Sequence, residues 1–155
     1  MRQFLSVMAL NGLLALTSLG CGSEPAVAVD VPDSLILYAL DPRERCEQDL
    51  ADPEKFHGYA IRGKVEIPEP ARKAELLGAL EQGVKDSDGS VAACFQPRHG
   101  LRLTRHGKTI DQVICFECHS YLTYDDAGKQ STIVAPTPQP VFNRFLKAAG
   151  IEPAP

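Results

Sequence analysis

Five consecutive residues combine types and spacing that can do chemistry: Cys115-Phe116-Glu117-Cys118-His119. A C-x-x-C-H run is the attachment pattern of c-type haem, in which two thiols bond to the vinyl groups and the histidine ligates the iron. Cys115, Cys118 and His119 are therefore candidate haem-binding residues of a monohaem electron carrier. Met1 and Met8 are the only methionines and both lie in the first ten residues, so a distal ligand would have to be His57, His99 or His106. Zinc is a further option for Cys94, Cys115, Cys118 and a histidine. No second C-x-x-C or H-x₃₋₅-H accompanies them, so no metal site is favoured. A dithiol redox pair would need its first cysteine at a helix N-terminus. The remaining chemistry is structural, with Cys46, Cys94, Cys115 and Cys118 as disulfide candidates in an oxidising compartment.

A second group is basic. Arg98, His99, Arg102, Arg105, His106 and Lys108 fall within one short stretch that holds no acid. Arginine recognises carboxylate and phosphate bidentately, which makes Arg98, Arg102 and Arg105 candidate anion-binding residues. The plainer expectation is a solvated strand face paired with the acidic segment around residues 41–54. Nucleophile elbow, P-loop, dinucleotide fingerprint and H-E-x-x-H are all missing. The chain therefore reads as non-enzymatic, with a binding or structural role and no favoured cofactor.

The elements that position these residues follow from periodicity. Leu35–Leu40 is an unbroken apolar run closed by Asp41-Pro42, as in a buried strand, and residues 41–55 read as an acidic loop. Phe56–Ile67 suits a strand or bent hairpin. Pro70 opens a helix whose apolar positions are Leu76, Leu77, Leu80 and Val84, ended by Asp86-Ser87-Asp88-Gly89. Val91–Phe95, Leu101–Arg105, Thr109–Tyr124 and Gln130–Val134 then read as a β-meander. Its turns are expected at Pro97–Gly100, His106–Lys108 and Asp125–Gly128. Pro140 opens a last helix with a stripe of Val141, Phe142, Phe145, Leu146 and Ala149, and Gly150 at its C-terminal cap. The fold class is α+β, a mostly antiparallel sheet with one central and one C-terminal helix.

Within Thr109–Tyr124 the even positions are mostly apolar and the odd ones mostly polar. A continuous strand puts Cys115 and Cys118 on opposite faces about 10 Å apart. The expectation is that they cannot pair with each other, and that each pairs with Cys46 or Cys94 or stays free.

The N-terminus carries an address. Arg2 precedes an apolar run from Val7 to Leu19, too short for a span of about 20 residues and matching an export signal. Thr17-Ser18-Leu19-Gly20-Cys21 resembles the lipobox of bacterial lipoproteins. The resemblance implies a signal peptide over residues 1–20 and a lipidated Cys21, with palmitate among its acyl chains. Gly22 in place of aspartate after the cysteine implies the outer membrane, with the domain in the periplasm or at the cell surface. Residues 21–33 read as lipidated terminus and flexible tether, and 34–155 as one globular domain. That domain resembles only uncharacterised exported bacterial proteins.

Composition agrees with one domain: hydrophobic residues are 44% and charged residues 23% of the chain. A formal net charge of −4 argues against nucleic-acid binding, which needs a basic surface. The expected partners are a membrane, through the lipid, and an envelope protein.

Overall fold

A computed structural model describes residues 31–45 and 52–155. Cys21, Cys46, the signal segment and most of the tether therefore lie outside the described residues, as does the middle of the acidic segment. The elements are β1 (Ser34–Arg45), β2 (Lys55–Phe56), β3 (Tyr59–Glu66), α1 (Pro70–Lys85), β4 (His99–Arg105), β5 (Lys108–Cys115), β6 (Ser120–Asp125), β7 (Gly128–Ile133) and α2 (Gln139–Ala148). The strands form one sheet in the order β2-β3-β1-β4-β5-β6-β7, and every pairing is antiparallel. This is the α+β architecture expected. Strand β1 sits between β3 and β4, so helix α1 crosses over it to connect its two neighbours.

Burial explains why Leu35–Leu40 lacks alternation. Leu35, Leu37 and Ala39 face the helices in a core with Leu76, Leu80, Leu101, Ile114, Phe142 and Leu146. Tyr38 and Leu40 face the other way, into a second cluster with Phe56, Tyr59 and Val113. A strand covered on both sides shows no polar face.

Helix α1 begins at Pro70, where the missing N–H costs nothing, and buries Leu76, Leu77 and Leu80. Lys73 is also buried; its Nζ donates to the carbonyls of Pro32 and Asp33 at 3.0 and 2.8 Å. Helix α2 ends in a Schellman motif. Gly150 adopts φ +73°, the Ile151 N–H donates to the Leu146 carbonyl, and the Gly150 N–H donates to that of Lys147.

Three expectations are corrected. Val91–Phe95 is irregular and forms no strand, while the expected Pro97–Gly100 turn already enters β4 at His99. Strand β1 continues past Asp41-Pro42 to Arg45, into the segment expected to be loop. Thr109–Tyr124 is two strands, because residues 116–119 turn the chain between β5 and β6. The turn is closed by Cys118 N–H to Cys115 O and His119 N–H to Phe116 O, with His119 at φ +56°. Phe116 and Cys118 are buried within the turn, so the apolar alternation runs on through a segment that is not extended.

Candidate functional site

The C-x-x-C-H motif occupies this β5–β6 turn. Reversal of the chain brings Cys115 and Cys118 to a Cα–Cα distance of 5.1 Å, and they form a disulfide. The expectation that they lie on opposite faces and cannot pair is thereby overturned. Pairing of either with Cys94 is overturned as well, since Cys94 is a free, exposed thiol. The physical reason is the turn: positions three apart in a tight reversal come within disulfide reach, whereas in a strand they do not.

The disulfide is shielded. Cys115 is 1% exposed and Cys118 fully buried. The segment before β4 lies across them: the Gln96 N–H donates to Cys118 Sγ at 3.2 Å, and the Ala92 N–H to the Cys118 carbonyl at 3.0 Å. Ser90 Oγ is hydrogen-bonded to His119 Nδ1 at 3.0 Å. Phe116 inserts beneath, edge-on to Phe142 and His99 at ring separations of 5.1 and 5.3 Å. Glu117 points outward and accepts from Arg98 at 2.7 Å. The five residues thus act as a buried staple with one charged arm. Thioether attachment of haem would use the same two sulfur atoms, so in any one molecule the two bond arrangements exclude each other. Among the described residues, no three His, Cys, Asp or Glu side chains converge as a metal site.

The three candidate arginines do not share a surface. Arg98 precedes β4 and bonds Glu117 and, through Nε, the backbone oxygen of Pro155 at 2.8 Å. Arg102 lies on the sheet face away from the helices, and Arg105 on the helix side beside Leu77 and Leu80. Alternation along one strand separates them. Arg102 pairs with Asp111 of the adjacent strand.

That pairing is the centre of a network invisible in local sequence. Arg102 donates from Nε and Nη2 to the two Asp111 oxygens at 2.8 and 2.7 Å. His57 Nε2 reaches Asp111 Oδ2 at 2.8 Å from the β2–β3 turn, where His57 holds φ +52°. The imidazole stacks on Tyr124 at 3.9 Å, and Phe56 stacks on Tyr38 at 4.4 Å. Burial opposes ionisation of Asp111, but the bonds and charges of Arg102 and His57 outweigh it and hold the carboxyl below its ordinary range. Burial likewise raises the Tyr38 hydroxyl, with Arg102 working against it. His57 and Asp111 are 54 positions apart, so no spacing motif could have joined them. The one available signal was the two-sided apolar run of β1, which implies a second packed face.

Elsewhere, Asp41 accepts from Arg43 and Arg62 at 3.0 and 3.1 Å, which holds its carboxyl far below the usual range. No helix among the described residues is long and apolar enough to cross a membrane. Comparison of the chain with protein families, with curated proteins and with solved structures gives no match.

Proposed function

We propose that the chain is a bacterial cell-envelope lipoprotein whose disulfide-stapled domain works by binding rather than catalysis. In this reading residues 1–20 direct export, Cys21 carries the lipid and residues 22–33 tether the domain to the outer membrane. The observation that carries it is the buried Cys115–Cys118 disulfide. Such bonds persist in oxidising compartments and are rare where thiols are kept reduced. Lys73 adds support, because it grips the backbone at residues 32 and 33, where the proposed tether meets the domain. The binding role is supported by how the polar clusters are used: Asp111 is fully engaged by Arg102 and His57, which makes it a structural group rather than a free base.

The test is expression with the native N-terminus, followed by fractionation and intact-mass measurement. The wild type should pellet with membranes and carry the mass of acyl chains on Cys21. Cys21→Ala should be released or remain unprocessed; unchanged membrane fractionation would overturn the anchor. In a host that matures c-type cytochromes, a colourless product supports the disulfide role. A Soret band with one haem of added mass would replace it with electron transfer at Cys115, Cys118 and His119.

A further inference from the structure

A cavity of about 450 Å³ lies between helix α1 and the sheet. Its apolar wall is made by Leu77, Leu80 and Val84 of the helix, with Leu103 of β4 and Ile110 of β5. Val84 and Ile110 are only partly buried, so the core stops short of covering this corner.

The chain enters the domain beside this cavity. Lys73, one turn before Leu77 on α1, holds the Pro32 and Asp33 carbonyls with its Nζ. On the other side the Asp33 N–H donates to the carbonyl of Thr104, next to Leu103 on β4. Residues 32 and 33 are thus clamped between the same helix and strand that wall the cavity. Pro32 is buried and Val31 half-buried, so the chain already runs against the protein at its first described residue.

Residues 26–30, outside the described residues, precede it as Ala26-Val27-Ala28-Val29-Asp30. Segments that stay in water are rich in glycine, serine and charge, whereas this run has four small apolar residues and one charge. Alternation in an extended chain puts Val27, Val29 and Val31 on one side. Val27 to Val29 spans about 7 Å in that form, close to the cavity's width of about 8 Å, the cube root of its volume. We propose that the occupant of the cavity is this chain's own segment 26–30, with Val27 and Val29 packed on the apolar wall. Where Cys21 carries lipid, only residues 22–25 then separate the anchor from the domain, and the domain sits against the bilayer. That consequence rests on the lipoprotein reading; the docking itself does not.

Two measurements on the full chain test it. In a Cys94→Ser background, Val29→Cys is combined in turn with Val84→Cys, Leu103→Cys and Ile110→Cys, then oxidised with copper phenanthroline and peptide-mapped. At least one pair should form a disulfide within a single chain, which requires Cα atoms within about 7 Å. Ser23→Cys with Ile110→Cys should form none. Absence of a cross-link in all three pairs, or equal cross-linking from position 23, would overturn the proposal. A cross-link joining two chains would assign the cavity to a second copy's segment and overturn it as well. In urea, Val29→Asp should lower the midpoint by about 1 M. Val84→Trp, which fills the cavity from the helix, should remove that effect, so that adding Val29→Asp to it changes nothing. An unchanged midpoint in Val29→Asp alone, or the same loss in both backgrounds, counts against the docking. Membrane fractionation of Cys21→Ala is read independently, so failure of one reading leaves the other standing.

Discussion

His99 Nε2 donates a hydrogen bond to Asn143 Oδ1 at 2.8 Å, which ties the first residue of β4 to helix α2 inside the core. His99 is 1% exposed, with edge-on contacts to Phe116 and Phe142. Burial pushes the imidazole down to about 4, with Arg98 adding to the shift and the Asn143 bond opposing it. The folded state therefore keeps His99 neutral at pH values where an unfolded chain, titrating near 6.5, is protonated. Above pH 6.5 the two states bind equal numbers of protons and the full stability is present. As pH falls from 6.5 towards 4 the unfolded state takes up the extra proton, and about 3 kcal/mol is lost. Urea midpoints at pH 7, 5.5 and 4.5 should show this slope, and His99→Gln should flatten it while lowering the midpoint at pH 7.

The ionic network on the other face titrates in a lower window. Asp111 is held below its ordinary value, so its contribution is present above about pH 4 and is lost as pH falls further. Asp111→Asn should cost about 2 kcal/mol at pH 7, less than for a fully buried pair because Arg102 is 44% exposed. The variant should also lose the wild type's additional decline below pH 4. Chemical denaturation at pH 7 and pH 3 measures both effects.

The disulfide closes a loop of sequence separation three, so the unfolded-chain entropy it removes is small. Cys115→Ala/Cys118→Ala should cost about 2 kcal/mol, read as a lower guanidinium midpoint with an unchanged fold by circular dichroism. Without reductant, maleimide followed by peptide mapping should label Cys94 and leave Cys115 and Cys118 unlabelled. Label on either of those two in the folded protein would contradict the pairing.

Two glycines of helix α1 should respond in opposite directions. A Cβ at Gly78 meets nothing within 4 Å, so Gly78→Ala should stabilise by about 0.8 kcal/mol through helix propensity. A Cβ at Gly83 would lie 2.4 Å from Pro138 Cγ and 3.0 Å from Val134 Cγ2. The same propensity gain is outweighed there by overpacking, and Gly83→Ala should destabilise by about 1–2 kcal/mol net. Thermal melts of the two single variants provide the comparison.

Both helices were legible because their signals are local: Pro70 and Pro140 near the starts, leucines or phenylalanines at helical spacing, and Gly150 beyond the end of α2. The antiparallel sheet followed from short strand-like runs broken by His106-Gly107 and Asp126-Ala127. The β5–β6 turn was not legible, because Phe116 and Cys118 are buried for reasons of core packing and disulfide closure. Their burial continues the two-residue rhythm of a strand through a tight reversal. Parity then resets, and Tyr121, paired with Ile114, faces the helices. The Asp111 network was hidden for a different reason. Its three members come from β5, β4 and the β2–β3 turn, so only sheet pairing brings them together.

The anchorage of residues 32 and 33 has a mechanical consequence. The Asp33 N–H donates to the Thr104 carbonyl, the His106 N–H donates to Asp33 Oδ2, and β1 starts immediately beyond. Strand β1 is bonded along both edges, to β3 and to β4. Tension applied through residue 33 along the strand would load both ladders in shear, straining many transverse bonds together instead of unzipping them singly. Pro155, held by Arg98, lies at the far end of the β1–β4 pair. A domain pulled through residue 33 would thus load the β1–β3 and β1–β4 ladders together, with Pro155 held on the side opposite the pull.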